Sequence, residues 1–554
     1  DGQEIILRSS VIVAESDAVD AHAQFASHLR LYPDGRRESE LDLYVGASRL
    51  DGEQKYLYLP DGPNVADGLR SSMQWLDEAV LAGDVTSAGI IYRGSTLPGD
   101  ASELKTFQSY FELEQGQLLF SEDWPQVNDL SALVFTSDND VDVEIRSGRS
   151  LSLSLDGASG TVRRNSDNEN WVSISGNASG STSEGLVYLQ NAGVGEKLKE
   201  EFSSWQAAGD FNLKVDVNIP LNVPDAATEV RLEMAVLENQ LILPEYSLTV
   251  SQLSGPVIFD TETGVEETFL SGNVFGRAAD FTLSSVSREG VLETIYLDSV
   301  GSAGMSELIE WPMQSDFIAD LLRQMSGEFS YTAKLAIDQS SAGNSQTSLS
   351  IETDLKDASS SFPEPFGKVV GEIRPLVLDF GFGKNQSVRG RYGQDLSFQM
   401  GLEGGTISKG VVFVGSDSNG LESLLDNDSE GLVIAGAVST FKFEQWSAFL
   451  DRLGESDGAA DGSSNEFSDS IAFVDINVKD FQLYNQMLPD VAMRVEADKE
   501  IAAWSVRLVS ENILGQVDIP FNDEDYLLLD LEYLRLRDDE EAAAATDAEP
   551  EVAQ

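Results

Sequence analysis

The feature that most constrains this chain is a period of two. Phe211, Leu213, Val215, Val217 and Ile219 are apolar, and Asn212, Lys214, Asp216 and Asn218 between them are polar. Successive side chains of a strand point to opposite faces, so this pattern makes a strand with one dry face and one wet face. The same alternation runs through Val141, Val143 and Ile145, through Val230, Leu232, Met234 and Val236, and through Val474, Ile476 and Val478. It returns near the end in Leu527, Leu529, Leu531 and Tyr533, with Asp530 and Glu532 interleaved. Strands with one wet face belong in antiparallel sheets, because parallel sheets covered on both faces read as continuous apolar runs. The expected fold is therefore mainly β and antiparallel. A slip of one residue in register would turn every one of these residues to the opposite face.

Helical spacing interrupts the alternation in four places. Asp67–Gly83 puts Leu69, Met73, Leu76, Ala79 and Val80 on one side, with Gly83 placed to end a helix. Val194–Gly209 aligns Leu198, Phe202 and Trp205, and Ser315–Gly327 aligns Ile318, Leu321, Leu322 and Met325. A fourth short helix is expected over Phe443–Gly454. Gly157–Gly185, rich in Ser, Gly and Asn, and Gly454–Ser470, rich in Gly, Ser and Asp, read as long mobile loops. These breaks suggest three β sections, 1–165, 186–340 and 341–537, joined as one continuous domain. An acidic, Ala-rich tail over 538–554 reads as solvated.

Composition removes several classes of function. The 554 residues carry 95 Asp and Glu against 36 Lys and Arg, a formal charge of −59. Nucleic acid and anionic membrane surfaces both need a basic face, so neither is an expected partner. The chain has no Cys and two His. Disulfides, thiolate metal sites and a Cys nucleophile are thereby excluded, and His22 and His28 are too few and badly spaced for a triad or a metal clamp. No cofactor or metal is expected. Asp138, Asp140 and Asp142 open like a calcium loop, but Val143 stands where the turn glycine belongs and Arg149 where the bidentate acid belongs. Asp426, Asp428, Glu430 and Gly431 fit better and still end on Ala437. Nothing selects a catalytic carboxylate pair from so many acids, and no enzyme activity is expected. Trp75, Trp205, Trp311 and Trp446 sit near the helical segments, where core packing is the expected role. No run of 18 apolar residues exists, so no membrane-spanning helix is expected within the chain. Its first residue, Asp1, suggests a processed chain or an excised piece.

Particular residues add a resemblance. Lys55-Tyr-Leu-Tyr-Leu-Pro60, Trp75-Leu76-Asp77-Glu78-Ala79, and Ile91-Tyr92-Arg93-Gly94 are followed by Leu118-Leu119-Phe120, Trp124-Pro125 and Leu130-Ser-Ala-Leu-Val-Phe135. Leu241-Ile-Leu-Pro244, Leu253-Ser-Gly255 and Gly272-Asn-Val-Phe-Gly276 come next, then Thr353-Asp-Leu355 and Phe362-Pro-Glu-Pro-Phe-Gly-Lys368. Gly431-Leu-Val-Ile-Ala-Gly436, Trp504, Ile519-Pro520 and Leu529-Asp-Leu-Glu-Tyr-Leu534 close the series. Together, over about residues 30 to 536, these resemble the YhdP branch of the AsmA-like proteins.

The resemblance implies a periplasmic part of a Gram-negative envelope protein, held to the inner membrane by a helix outside these residues and reaching toward the outer membrane. It also implies a long curled sheet forming an elongated, taco-like groove that carries phospholipid acyl chains. About thirty strands spaced about 4.8 Å apart would extend about 140 Å. The expected groove lining is then the dry face: Phe211, Leu213, Val215, Val217, Ile219, Val230, Leu232, Val474, Ile476, Val478, Leu527, Leu529 and Leu531. Both membranes would be met through parts outside this chain, which would be a fragment or the product of a divided gene. Two other readings fit the alternation, a structural or regulatory envelope protein that fills its own dry face and a carbohydrate-active or adhesive β-solenoid.

Overall fold

The computed structural model describes residues 2–57, 77–96, 105–119, 124–138, 140–165, 169–191, 199, 202–221, 226–288, 291–311, 316–338, 347–382, 386–403, 406–416, 421, 424, 431–455, 471–498, 501–520 and 526–536. Among these are thirty-one strands and a few short helices, so the protein is mainly β. The chain divides into two compact units. Unit 1 holds 1–273 with 282–295, and unit 2 holds 274–281 with 296–554.

In unit 1 the long strand Val19–Leu31 pairs on one side with Gln3–Arg8 and Ile12–Glu15 and on the other with Arg37–Asp51. From there Val80–Ser95, Thr106–Leu118, Val127–Ser137, Asp140–Ser150, Leu153–Arg164, Asn170–Ser181, Asp210–Pro220, Glu229–Leu243 and Leu248–Asp260 follow as neighbours, each antiparallel to the one before. A meander of this kind places its connections alternately at two rims of the sheet. The described helical residues of unit 1 fall at one of them: Gly52–Leu57, 77–79, Thr182–Asn191, 199, 202–204 and Pro244–Tyr246. We call this the helix rim. The opposite, turn rim carries the connections at 32–36, 96–105, 138–139, 165–169, 221–228 and 261–263.

Unit 2 begins the same way, with Met325–Asp338, Thr347–Thr353, Leu376–Phe382, Gln386–Tyr392, Leu396–Glu403 and Thr406–Val414 antiparallel in succession. It then departs from the expected antiparallel order. Gly431–Lys442 lies parallel to Thr406–Val414, and Ile471–Leu483 lies parallel to Gly431–Lys442. The helix Phe443–Glu455 follows Gly431–Lys442 without a break and lies in the connection to Ile471–Leu483, which has the length that a crossover to a parallel neighbour requires. The sheet is therefore mixed. Leu432 and Val433 are adjacent and both buried, as a strand covered on both faces requires. Gln486–Asp498, Ala503–Val509, Ile513–Pro520 and Leu528–Leu534 close the unit antiparallel.

Several local expectations change. Only 77–79 is helical within the described part of the segment 67–83; Val80 already opens a strand and Gly83 lies inside it, with 67–76 outside the described residues. Within the segment 194–209, residues 199 and 202–204 are helical, 194–198 and 200–201 lie outside the described residues, and Gln206–Ala208 is a strand; a further helix, Thr182–Asn191, stands before it. The third covers Asp316–Arg323, and Gly327 sits in the following strand. The fourth covers Phe443–Glu455. The stretch 157–185 is no loop but most of the hairpin Leu153–Arg164 and Asn170–Ser181. Ser159, Ser173, Ser175 and Ser179 are exposed, and there Ser173 donates to Asn218 and Ser175 to Asp216. Its glycines admit close neighbours: a Cβ on Gly176 would stand 2.4 Å from the Cβ of Ala158. Residues 456–470 and 538–554 lie outside the described residues.

Candidate functional site

Cross-strand register converts the alternation into a surface. In unit 1 one row runs Ala47, Ala88, Phe111, Val134, Val143, Gly160, Ile174, Val217 and Val230, each directly opposite the next. A parallel row places Val215 opposite Gly176 and Leu232, with Phe259 beyond. The next places Leu213 opposite Ala178 and Met234, with Val257 beyond. Phe211 meets Gly180 and Val236, and Ile219 meets Val172. Phe211, Leu213, Val215, Val217, Ile219, Val230 and Leu232 thus share one face, because the backbone pairs in register and side chains two apart stay together.

The wet face carries the charges. Lys214 reaches Asp216 at 2.8 Å, and Ser175 donates to the same carboxylate at 2.6 Å. The hydrogen bond from Lys214, followed by that from Ser175, holds Asp216 below the usual carboxylate range. Arg231 similarly joins Glu233 and Glu266, with Asp260 farther off. A shallow cavity of about 320 Å³, lined by Asn177, Asn212, Lys214 and Glu233 among others, opens on this polar side.

The decisive property of the dry face is where it is filled. On Asp210–Pro220 the outer positions Phe211 and Val217 are buried, whereas Leu213 and Val215 between them are half-buried. On Glu229–Leu243 the buried positions are Val230 and Val236, and Leu232 and Met234 between them are half-buried. Asn170–Ser181 repeats this with Val172 and Ala178 around Ile174. In a sandwich the middle of a strand is the best-covered part, since a second layer packs on it. Here mid-strand apolar area is left without a full cover. At the helix rim the cover comes from the chain: a Cβ on Gly185 of the helix Thr182–Asn191 would approach the Phe211 ring to 2.9 Å.

Unit 2 aligns the other expected lining residues and treats them differently. Val412, Ile434, Val474, Val495, Val506, Val517 and Leu529 form one row. Val414, Gly436, Ile476, Met493, Leu508, Gly515 and Leu531 form the adjacent row. Ile476 and Val478 are packed among Phe481, Leu488 and Val491 in a core of the chain's own side chains. Leu529 is 59% exposed, on a strand that pairs with Ile513–Pro520 alone among the described strands. Leu527 lies just before the strand Leu528–Leu534 rather than within it, and is exposed.

The remaining motifs resolve simply. Asp138 occupies a turn and accepts the backbone N–H of Phe107, while Asp142 pairs with Arg163, so two carboxylates of the first acidic triplet hold separate partners. Asp426, Asp428 and Glu430 lie outside the described residues. Among the described residues no group of three His, Asp or Glu could hold a metal ion. His22 and His28 stand on the wet side of Val19–Leu31, His22 against Gly46 and His28 near Glu4 at 3.9 Å. Trp205 packs edge-on to Phe202, Trp311 to Phe275, and Trp446 stacks on Phe441. Trp75 is outside the described residues. Phe111, Val134 and Ile174 belong to the dry face as much as the residues picked from sequence. Their own alternation with Glu112, Phe135 and Ser175 is broken by one aromatic or softened by glycines, which hid the signal.

Among the described residues no helix is long and apolar enough to cross a membrane. The family described as "YhdP protein" matches residues 1–554. The intermembrane phospholipid transporter YhdP of Escherichia coli (strain K12) is 23% identical over 358 residues, which are 62% of this chain and 26% of the transporter. The matched part therefore spans about a quarter of that relative's length. No solved structure matches.

Proposed function

This chain belongs to the YhdP family, and from that premise we propose that it is a periplasmic section of a protein that moves phospholipid between the inner and outer membranes along an apolar groove. The observation that carries the reading is the half-buried middle of the dry face in unit 1, centred on Leu213, Val215, Leu232 and Met234. Acyl chains supply the missing cover. Each buried CH₂ is worth about 0.8 kcal/mol, so a two-chain lipid cannot cross water at a useful rate without such a surface. The contacts along the rows are many and alike, which suits passage, because a single deep pocket would trap the lipid. The wet face keeps the carrier soluble, and no covalent step is involved.

Photo-crosslinking residues at Val215 and Leu232, with Asp216 as the outward control, test this in the periplasm of cells making the protein. Mass spectrometry should find phospholipid attached at the two dry positions and not at Asp216. Equal capture at all three positions, or none at any, would remove the support for a groove.

A further inference from the structure

The dry face of unit 1 ends in a positive charge. Arg164 closes the strand Leu153–Arg164 at the turn rim, directly opposite Asn170, which opens the next strand. It follows Gly160 and Val162 at spacings of two, so it stands on the dry face, in the row beyond Val141, Val162 and Val172. Its Nε donates to Oδ1 of Asn170 at 3.1 Å, and Asn170 is only 4% exposed. Among the described residues of the strand ladders between 3 and 260, Arg37 is the other charged side chain on this face. It lies at the same rim, opposite Leu31. Two arginines, and no acid, occupy those places in a chain with 95 acids and 36 bases.

The partner of Arg164 also sets it apart. On the wet face Arg93 pairs with Asp42, Arg146 with Glu112, Arg163 with Asp142, and Arg231 with Glu233 and Glu266. Among the described residues Arg164 instead takes a neutral amide, which orients the guanidinium without cancelling its charge. A planar fork of N–H donors fixed at the end of an apolar row matches an amphiphile whose polar end is a phosphate.

We propose that Arg164 receives the phosphodiester of a glycerophospholipid whose acyl chains lie on the dry face, so that lipid is held with its headgroup at the turn rim and its tails toward the helix rim. This rests on the groove reading above. The dimensions agree: the row from Val172 to Ala178 spans about 20 Å of strand, against about 15 Å for the tails of one leaflet. The helix rim is sealed by Phe211 and the helix over it, which leaves the turn rim for the polar end. Asn170 acts as a positioning residue.

The test compares two probes on the purified chain, a fluorescent phosphatidylethanolamine and a diacylglycerol with the same chains and label but no phosphate. The wild type should bind the phospholipid more tightly, by about tenfold, the effect of one charge-assisted hydrogen-bonding group. Arg164→Gln should bring the phospholipid down to the diacylglycerol level and leave diacylglycerol binding unchanged, which also reports that the dry face is intact. Arg164→Lys should restore part of the difference. If both probes bind the wild type alike and Arg164→Gln changes neither, the headgroup assignment is wrong while the groove stands. If neither probe binds, the groove itself fails. Displacement of the phospholipid by inorganic phosphate alone would assign the arginine to a free anion and overturn the lipid assignment.

Discussion

The pair Asp210–Pro220 and Glu229–Leu243 in unit 1 and the pair Ile471–Leu483 and Gln486–Asp498 in unit 2 are alike in sequence pattern and in antiparallel register. Their dry faces differ in cover. Leu213, Val215, Leu232 and Met234 are half-buried, whereas Val478 is 1% and Val491 0% exposed. The second pair adjoins the parallel crossover. There Phe441 stacks between Phe481 and Trp446 at 5.6 and 5.7 Å, and Phe449 of the helix Phe443–Glu455 packs edge-on to Trp446. Alternation makes a face apolar; neighbours from elsewhere in the chain decide whether that face becomes core or surface.

That contrast can be broken most directly by a charge. Val478→Asp should cost at least about 3 kcal/mol, because the carboxylate would be buried without a partner, and should appear as a large fall in the denaturant midpoint. Val215→Asp should change the midpoint little, since water reaches that position, and should abolish lipid capture. Comparable losses of stability in the two variants would erase the distinction between the regions. Truncation gives a smaller version of the same comparison. Leu488→Ala should lose about 2–4 kcal/mol to a cavity in the unit 2 core, and Leu213→Ala no more than about 1 kcal/mol, the worth of partly buried methylenes. Gly176→Val should cost about 1–3 kcal/mol by overpacking against Ala158, and a variant as stable as the wild type would show that the two strands can part there.

The smallest effect concerns the helix rim of unit 1. The Ser181 backbone N–H donates to Glu184 at 3.1 Å and, as the leading cause, holds its carboxyl below the usual range. A lowered pKa means the unfolded chain takes up the proton first, so this contribution is present above the unfolded-state value and fades as pH falls through the folded one. Thermal melts of wild type and Glu184→Gln should differ near neutrality and converge on acidification. A difference that does not shrink with falling pH would separate the effect from the carboxylate's ionisation.

Much of the dry face was legible because a period of two survives in single strands. Phe211 to Ile219 and Val474 to Val478 needed no neighbours to be assigned to a face. The hairpin at 153–181 was misread because Ser and Gly serve both loops and crowded strands, and only the approach of Ala158 to Gly176 tells which use applies. The helix Thr182–Asn191 was missed for a related reason: it buries no side chain fully, so its sequence carries no strong apolar stripe. Arg164 was invisible as a candidate because an arginine after Val162 looks like the end of a strand, and its role depends on which rim that end reaches.

The sequence by itself determined that the chain is β-rich, which residues share a face along each strand, and that the wet side is acidic. Those follow from backbone geometry, which fixes the side-chain period at two whatever the strand pairs with. The tertiary structure decided the parallel crossover in unit 2, the segregation of helices to one rim, and the cover over Val478 that Val215 lacks. Each depends on contacts between residues distant along the chain, and no local period encodes which distant residue will arrive.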